Sequence, residues 1–433
     1  LKLIIFFLQP VRDLVQKGKN ICSNASSYGA AVESGLRVSK HFQRVLCLSS
    51  LLTLSRAERV KTNYFFKYRL ISTDCHRRSQ TKQLNSWQES IMSHAKATES
   101  NAAGAHQKPE RDEIARRITE ATRNAPRSLR EAAAAHLDTK GKMLRGLTAF
   151  HAARAFGAQS RDGLTWAAAV ELIHNASLIH DDICDKDHER RGTETIFTRY
   201  GEAIAVCLGD YFIATSFQLA AQVHPGTVGL LAAATAASTG GQAAEFTLRG
   251  YPSWAQYCEI AVAKTSPLLG LPVIGAAMVA DHALDRASVE AYFNNAAICF
   301  QVLNDIDNVL VTPTLSQPCS DLIHCRPNAV LASLHDSLNE STRDRMDQWS
   351  DACRANRDEH TSPDCLEWWH LLRQSHSVAH TAQRLYFHFN TATTELNRMS
   401  EPLQVVVAQL HTWLESAMAN ASPVAVRRRE ARR

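Results

Sequence analysis

Asp181, Asp182 and Asp185 close the stretch ELIHNASLIHDDICDKDHERRG, residues 171–192. Leu172, Ile173, Leu178 and Ile179 recur at helical spacing, so the stretch predicts an apolar helix ending in acid. Asp181 and Asp185 stand four residues apart, which puts both carboxylates on one helix face. Left unpaired, they repel each other, and a divalent cation removes that repulsion. Hard oxygen ligands that leave room for water and phosphate suit Mg²⁺. The arginines that follow, Arg190 and Arg191, present planar forks that grip diphosphate oxygens two at a time. The plainer reading is a solvated acidic helix end and a basic turn. The extended spacing DDxxDxxxxRRG behind an apolar helix argues against it.

The stretch resembles the first aspartate-rich motif of the trans-isoprenyl diphosphate synthases, and most of all that of the long-chain polyprenyl synthases. Other strings extend the resemblance. KGKMLRG, residues 140–146, resembles the family's GGKRxRP loop. Gly141, Lys142 and Arg145 match, while Lys140, Met143 and Gly146 depart. A glycine beside two cations lets the backbone approach a phosphate. The resemblance implies that Lys142, Arg145, His174 (two helical turns before Asp181) and Arg191 hold isopentenyl diphosphate, and that Arg190, Thr265 and Gln301 are also substrate-binding. Lys264 and Thr265 resemble the Lys-Thr pair at the family's helix kink, where the lysine binds the allylic diphosphate. A lysine in so apolar a helix is costly unless paired, which marks it independently. Gly241, Gln242 and Glu245 resemble the helix break over the reacting carbons. Gln301 belongs to a second acidic motif that the family writes FQxxDDxxD. Here it reads Phe300, Gln301, Val302, Leu303, Asn304, Asp305, Ile306, Asp307, Asn308. Two carboxylates have become amides, which can still ligate Mg²⁺ through a carbonyl oxygen but bring no charge. Asp321 and Leu322 match the family's later DL, and its GK reads Cys325 and Arg326.

The resemblance implies an all-α isoprenoid synthase bundle around a central apolar cavity. It implies Mg²⁺ held by Asp181, Asp185, Asn304 and Asp305, with Asp181, Asp182, Asp185 and Lys264 as the catalytic set. The reaction is ionisation of an allylic diphosphate, attack by isopentenyl diphosphate and loss of a proton. Ala176 and Ser177 lie about 6–8 Å before Asp181 along the helix. Short-chain enzymes block this level with an aromatic ring. Two small residues leave it open, favouring products of twenty carbons or more. Two alternatives stand: a non-catalytic subunit of a heteromeric synthase, suggested by the altered second motif and Met143, and a terpene cyclase using Asn304. A homodimer or a hetero-oligomer is expected, with no nucleic-acid partner.

These residues need helices to position them. Glycine and proline are few for 433 residues, 18 and 13, which favours helices over an all-β fold. The eleven cysteines show no CxxC pairs, which argues against a disulfide or zinc framework. No run of 18 apolar residues predicts a transmembrane helix. The net charge of +5 is uneven: residues 1–91 carry ten surplus positive charges. That basic leader, with no methionine before Met92, reads as an upstream extension or a transit-like segment outside the fold. Location is expected to be cytoplasmic, or mitochondrial if the leader is a transit peptide. Residues 92–108 read as a flexible linker, 109–418 as the synthase domain and 419–433 as a basic tail. Within the domain, helices are expected from Arg116 to Ala135 with a break at Pro126, and over 147–156, 166–183, 203–223 (interrupted at Gly209 and Asp210), 230–245, 257–279 and 289–310. Weaker helices follow around Trp349, Leu371 and 403–418, after a loop over 314–327.

Overall fold

A computed structural model describes residues 108–138, 141, 143–311, 317–355 and 363–420. The leader, nearly all of the linker, Lys142 and the tail beyond 420 lie outside the described residues. The helices are α1 (Lys108–Thr122), α2 (Arg127–Leu137), α3 (Leu144–Ala155), α4 (Ser160–Asp185), α5 (Ile196–Tyr200), α6 (Glu202–Ala220), α7 (Pro225–Phe246), α8 (Trp254–Val279) and α9 (Arg286–Val311). They continue as α10 (Ser320–Ile323), α11 (Ala329–Ser337), α12 (Glu340–Ala355), α13 (Pro363–Gln374), α14 (Ser377–Arg398) and α15 (Glu401–Asn420). Two short strands, β1 (Glu189–Arg190) and β2 (Thr193–Glu194), pair antiparallel after α4.

The fold is all-α, and α4 runs through its middle against α1, α3, α6 and α8. Residues 165–173 are buried on every face of the helix, as expected of a helix surrounded by others. Trp166 is fully buried and donates Nε1–H to the Pro272 carbonyl at 3.1 Å. Its ring fills the space where a side chain on Gly275 would stand, so α4 and α8 approach closely. Such a ring is worth about 3–5 kcal/mol against alanine. Helix α4 stops where Lys186 turns left-handed, φ 54°, and its N–H bonds the carbonyls of Asp182 and Ile183. The stop falls directly after Asp185, so the acidic residues sit at the rim of the bundle while the apolar turns lie inside.

Several expectations change. Helix α6 runs unbroken through Gly209 and Asp210. One glycine costs about 1 kcal/mol in a helix, and packing against α4 outweighs that. Helix α14, unread in the sequence because half its surface is polar, packs along α9. Helix α11 was unread too; it starts at Asn328, whose side chain accepts from the N–H groups of Val330 and Leu331. The strands are joined by Arg191 and Gly192, both at positive φ, 55° and 78°. That is the backbone of a two-residue hairpin turn. Helices α6 and α8 are long and apolar enough to cross a membrane by length and composition alone. Most of α8's apolar window is buried inside the bundle, which accounts for its composition without a membrane.

Candidate active site

Helices α4, α7, α8 and α9 and the α3 entrance surround a cavity of about 1120 Å³, which Asp181, Lys264, Gln301, Asn304, Arg145 and His174 line. A second, of about 320 Å³, lies under its acidic mouth and shares Lys264, Gln301 and Asn304 with it. The two together hold nearly all the residues singled out above.

Asp181 and Asp185 face this space, as the four-residue spacing requires. Burial raises the Asp181 pKa to about 6, and the Asp185 and Glu245 carboxylates add to the rise against the pull of Lys264 and Arg190. Burial likewise raises Asp185, with Arg326 and Lys264 opposing. Asp182 is placed differently. It is buried, lines neither cavity, and its Oδ1 accepts from Arg190 Nε and Nη2, both at 2.6 Å. Successive helix positions point about 100° apart, so the middle aspartate leaves the face of the other two. It braces the hairpin that carries Arg190 and Arg191, and Arg190 serves this brace as well as the cavity edge.

The basic side of the larger cavity forms at the start of α3. Arg191 reaches across to Gly141, where a Cβ would lie 2.8 Å from its Nη1. A side chain there would push the end of the arginine aside. Arg145 Nη1 donates to His174 Nε2 at 3.1 Å. Burial, then the charge of Arg145, holds the His174 pKa well below its ordinary value, so His174 is neutral and accepts. Arg145 Nε is buried with no partner among the described residues. The departure at Gly146 has a physical consequence. Its N–H donates to the buried Glu171 carboxylate at 2.9 Å, and proline has no N–H to give. Glu171 fixes the start of α3 and lies beside Arg145. Sequence reasoning missed it, although a carboxylate on the buried side of an apolar helix was a usable signal.

On the opposite side, Lys264 Nζ pairs with Glu245 Oε2 at 2.9 Å. That partner offsets the burial of both groups. Helices α7 and α8 touch backbone to backbone here. A Cβ on Gly241 would lie 2.3 Å from the Lys264 nitrogen, and Ser238 Oγ donates to the Lys264 carbonyl at 2.6 Å. Pro267 and Pro272 lie inside α8, and each deprives a carbonyl one turn earlier of its helical donor. Gln301 Nε2 donates to Thr265 Oγ1 at 2.7 Å. Both side-chain amide atoms of Gln242 are buried and lack a partner while facing the larger cavity.

The second acidic motif divides in two. Asn304 opens to both cavities. Asp305 lines the smaller one, but its Oδ2 accepts from the Tyr257 hydroxyl at 2.6 Å and the Ala329 N–H at 2.8 Å. Burial and the neighbouring Asp321 push its pKa well up. Asn308 Nδ2 donates to Ser320 Oγ at 2.8 Å, a bond a carboxylate cannot donate. Glu245, Asp321 and Asp187 also line the smaller cavity. Burial raises the pKa of Asp181, Asp185, Asp305 and Asp321, a cost that a hard divalent cation would relieve. As the side chains stand, no three His, Cys, Asp or Glu groups among the described residues converge closely enough to hold one, so binding would draw them together.

The fold matches solved all-α isoprenoid synthases. A decaprenyl diphosphate synthase from Rhodobacter capsulatus superposes with TM-score 0.63 at 21% identity, over 73% of this chain and 98% of that one. A polyprenyl synthase from Caulobacter crescentus CB15, solved with calcium and isoprenyl diphosphate, gives TM-score 0.60 at 23% identity, over 73% and 97%. The chain belongs to the polyprenyl synthetase family, whose model matches residues 126–367. It is 32% identical over 189 residues to a short chain isoprenyl diphosphate synthase of Methanocaldococcus jannaschii, covering 42% of this chain and 58% of the relative. It is 33% identical over 171 residues to an octaprenyl diphosphate synthase of Haemophilus influenzae, covering 38% and 52%. The matches thus span little more than half the length of these relatives.

Proposed function

We propose that the protein is a Mg²⁺-dependent prenyltransferase. It condenses isopentenyl diphosphate with an allylic diphosphate to a trans-polyprenyl diphosphate of twenty carbons or more. The observation that carries this reading is one apolar cavity with Asp181 and Lys264 at its mouth and the small Ala176 and Ser177 in its wall. Asp181, Asp185 and the Asn304 carbonyl would hold Mg²⁺, with Asp305 behind them. Bound there, Mg²⁺ supplies charge stabilisation for the departing diphosphate. Lys264, oriented by Glu245, places a second positive charge beside the same leaving group. Arg145, His174 and Arg191 hold the diphosphate of isopentenyl diphosphate, with Lys142 expected to join them. Apolar side chains such as Leu268, Ile213 and Phe300 keep water from the allylic cation. The tail passes Ala176 into the bundle.

One observation favours a second reading, a non-catalytic subunit of a heteromeric synthase. Asn304 brings no charge, and Asp305 spends an oxygen on Tyr257 and Ala329. Incubation with Mg²⁺, farnesyl diphosphate and labelled isopentenyl diphosphate separates the readings. Elongated diphosphates support the synthase. No product alone, but product with a partner chain, supports the subunit, and a hydrocarbon would replace both with a cyclase. A homodimer belongs to the first reading, and sedimentation of a monomer at micromolar concentration would count against it.

A further inference from the structure

Arg326 stands where the family's pattern has lysine, and the structure gives it an unusual position. Its backbone is fixed on three sides. Its N–H donates to the Asp321 carbonyl at 2.8 Å, its carbonyl accepts from the Tyr251 hydroxyl at 2.9 Å, and the preceding residue, Cys325, holds a left-handed φ of 52°. From this mount the guanidinium crosses to the end of α4. Nη2 bonds the Asp185 carbonyl at 2.5 Å and Asp187 Oδ1 at 3.2 Å, and Nε stands 3.8 Å from Asp185 Oδ1. It lines the smaller cavity with Asp185, Asp187, Glu245 and Asp321.

We propose that Arg326 is a built-in competitor for the cation at Asp185. It neutralises the acidic rim when no cation is bound and must loosen its hold as one enters, so it raises the cation concentration the site requires. This is a positioning role exerted through Asp185. A lysine at the same place would offer one charge without the planar fork that spans Asp185 and Asp187 together. The inference rests on the reading above only in taking Asp181 and Asp185 as the cation-binding face.

The probe is Mn²⁺ alone, with neither diphosphate present, counted as free ion by electron paramagnetic resonance. Removing a unit positive charge a few ångströms from a divalent ion strengthens its binding by roughly tenfold after screening. Arg326→Gln is therefore expected to bind Mn²⁺ roughly tenfold more tightly than wild type, and Arg326→Lys to fall between them. A merely structural role would move affinity the other way, since loosening the end of α4 weakens the site. An affinity equal to or weaker than wild type in Arg326→Gln with native circular dichroism overturns the proposal. If that variant does not fold, the same result in Arg326→Lys overturns it. Because no prenyl transfer is measured, a chain that makes no product still answers the question.

Discussion

Replacing Asp181 by asparagine should make the metal-free protein more stable while removing its activity. The folded pKa of Asp181 is about 6 against an ordinary 3.8, with burial the main cause. A displacement of that size corresponds to about 3 kcal/mol of penalty on the charged form at neutral pH. The carboxylate keeps contact with the open cavity, so about 1–2 kcal/mol is the fairer expectation. The pH dependence follows from the sign. A carboxyl whose folded pKa is raised holds its proton more tightly in the folded state, so its stabilising contribution is complete below the unfolded pKa and lost as pH rises through about 6. Wild type and Asp181→Asn should therefore unfold together near and below pH 4, separate between about pH 4 and 6, and keep a constant gap above that. For a chain of this size the variant should unfold roughly 1–3 °C higher at pH 7.5 in chelator. Scanning calorimetry from pH 4 to 8 reads this directly. Mg²⁺ with inorganic pyrophosphate should then raise the wild-type midpoint and leave the variant's almost unmoved. Turnover of the variant should fall by orders of magnitude. A variant no more stable than wild type at pH 7.5 would refute the electrostatic account of the site.

Three other outcomes are expected. Ala176→Phe should shorten the main product with catalysis retained, and an unchanged product distribution by chromatography would mean that the tail does not pass this face of α4. Asn304→Asp should lower the Mg²⁺ concentration for half-maximal rate, because a charged ligand holds a hard cation better than an amide; the same midpoint in both proteins would show that Asn304 is no ligand. Gly241→Ala should lower the unfolding midpoint and reduce turnover more than tenfold, since its Cβ would meet the Lys264 backbone at 2.3–2.6 Å. The cost of such overpacking is about 1–3 kcal/mol or more, and native activity would show that the two helices separate freely.

The acidic end of α4 was legible because helical spacing translates directly into facing. The same spacing could have warned that Asp182 points elsewhere, but its partner Arg190 depends on a hairpin of four paired residues, too short to show a period. Asp305 keeps its place in the motif, and only the tertiary arrangement brings Tyr257 and Ala329 to its oxygen. Glu245 and Lys264 stand 19 residues apart in sequence, on two different helices, and no local pattern announces such a partner. Arg326 read as a defect in a motif. Its contact with Asp185 spans 141 residues, so its reach was visible only after folding. Helix α14 escaped because moderate polarity hides a buried stripe when its partner, α9, is unknown, and α11 because its nine residues, seven of them buried in a row, are too few to show a helical period.

The brace between Asp182 and Arg190 changes how the charge of the first motif is counted. With Asp182 committed to Arg190, two carboxylates of that motif face the entering ligands, and Lys264 and Arg326 stand opposite them. Asp187, Glu245 and Asp321 line the same small cavity, so carboxylates outnumber the two cations there even with Asp182 withdrawn, and the surplus negative charge favours a cation over a bare diphosphate.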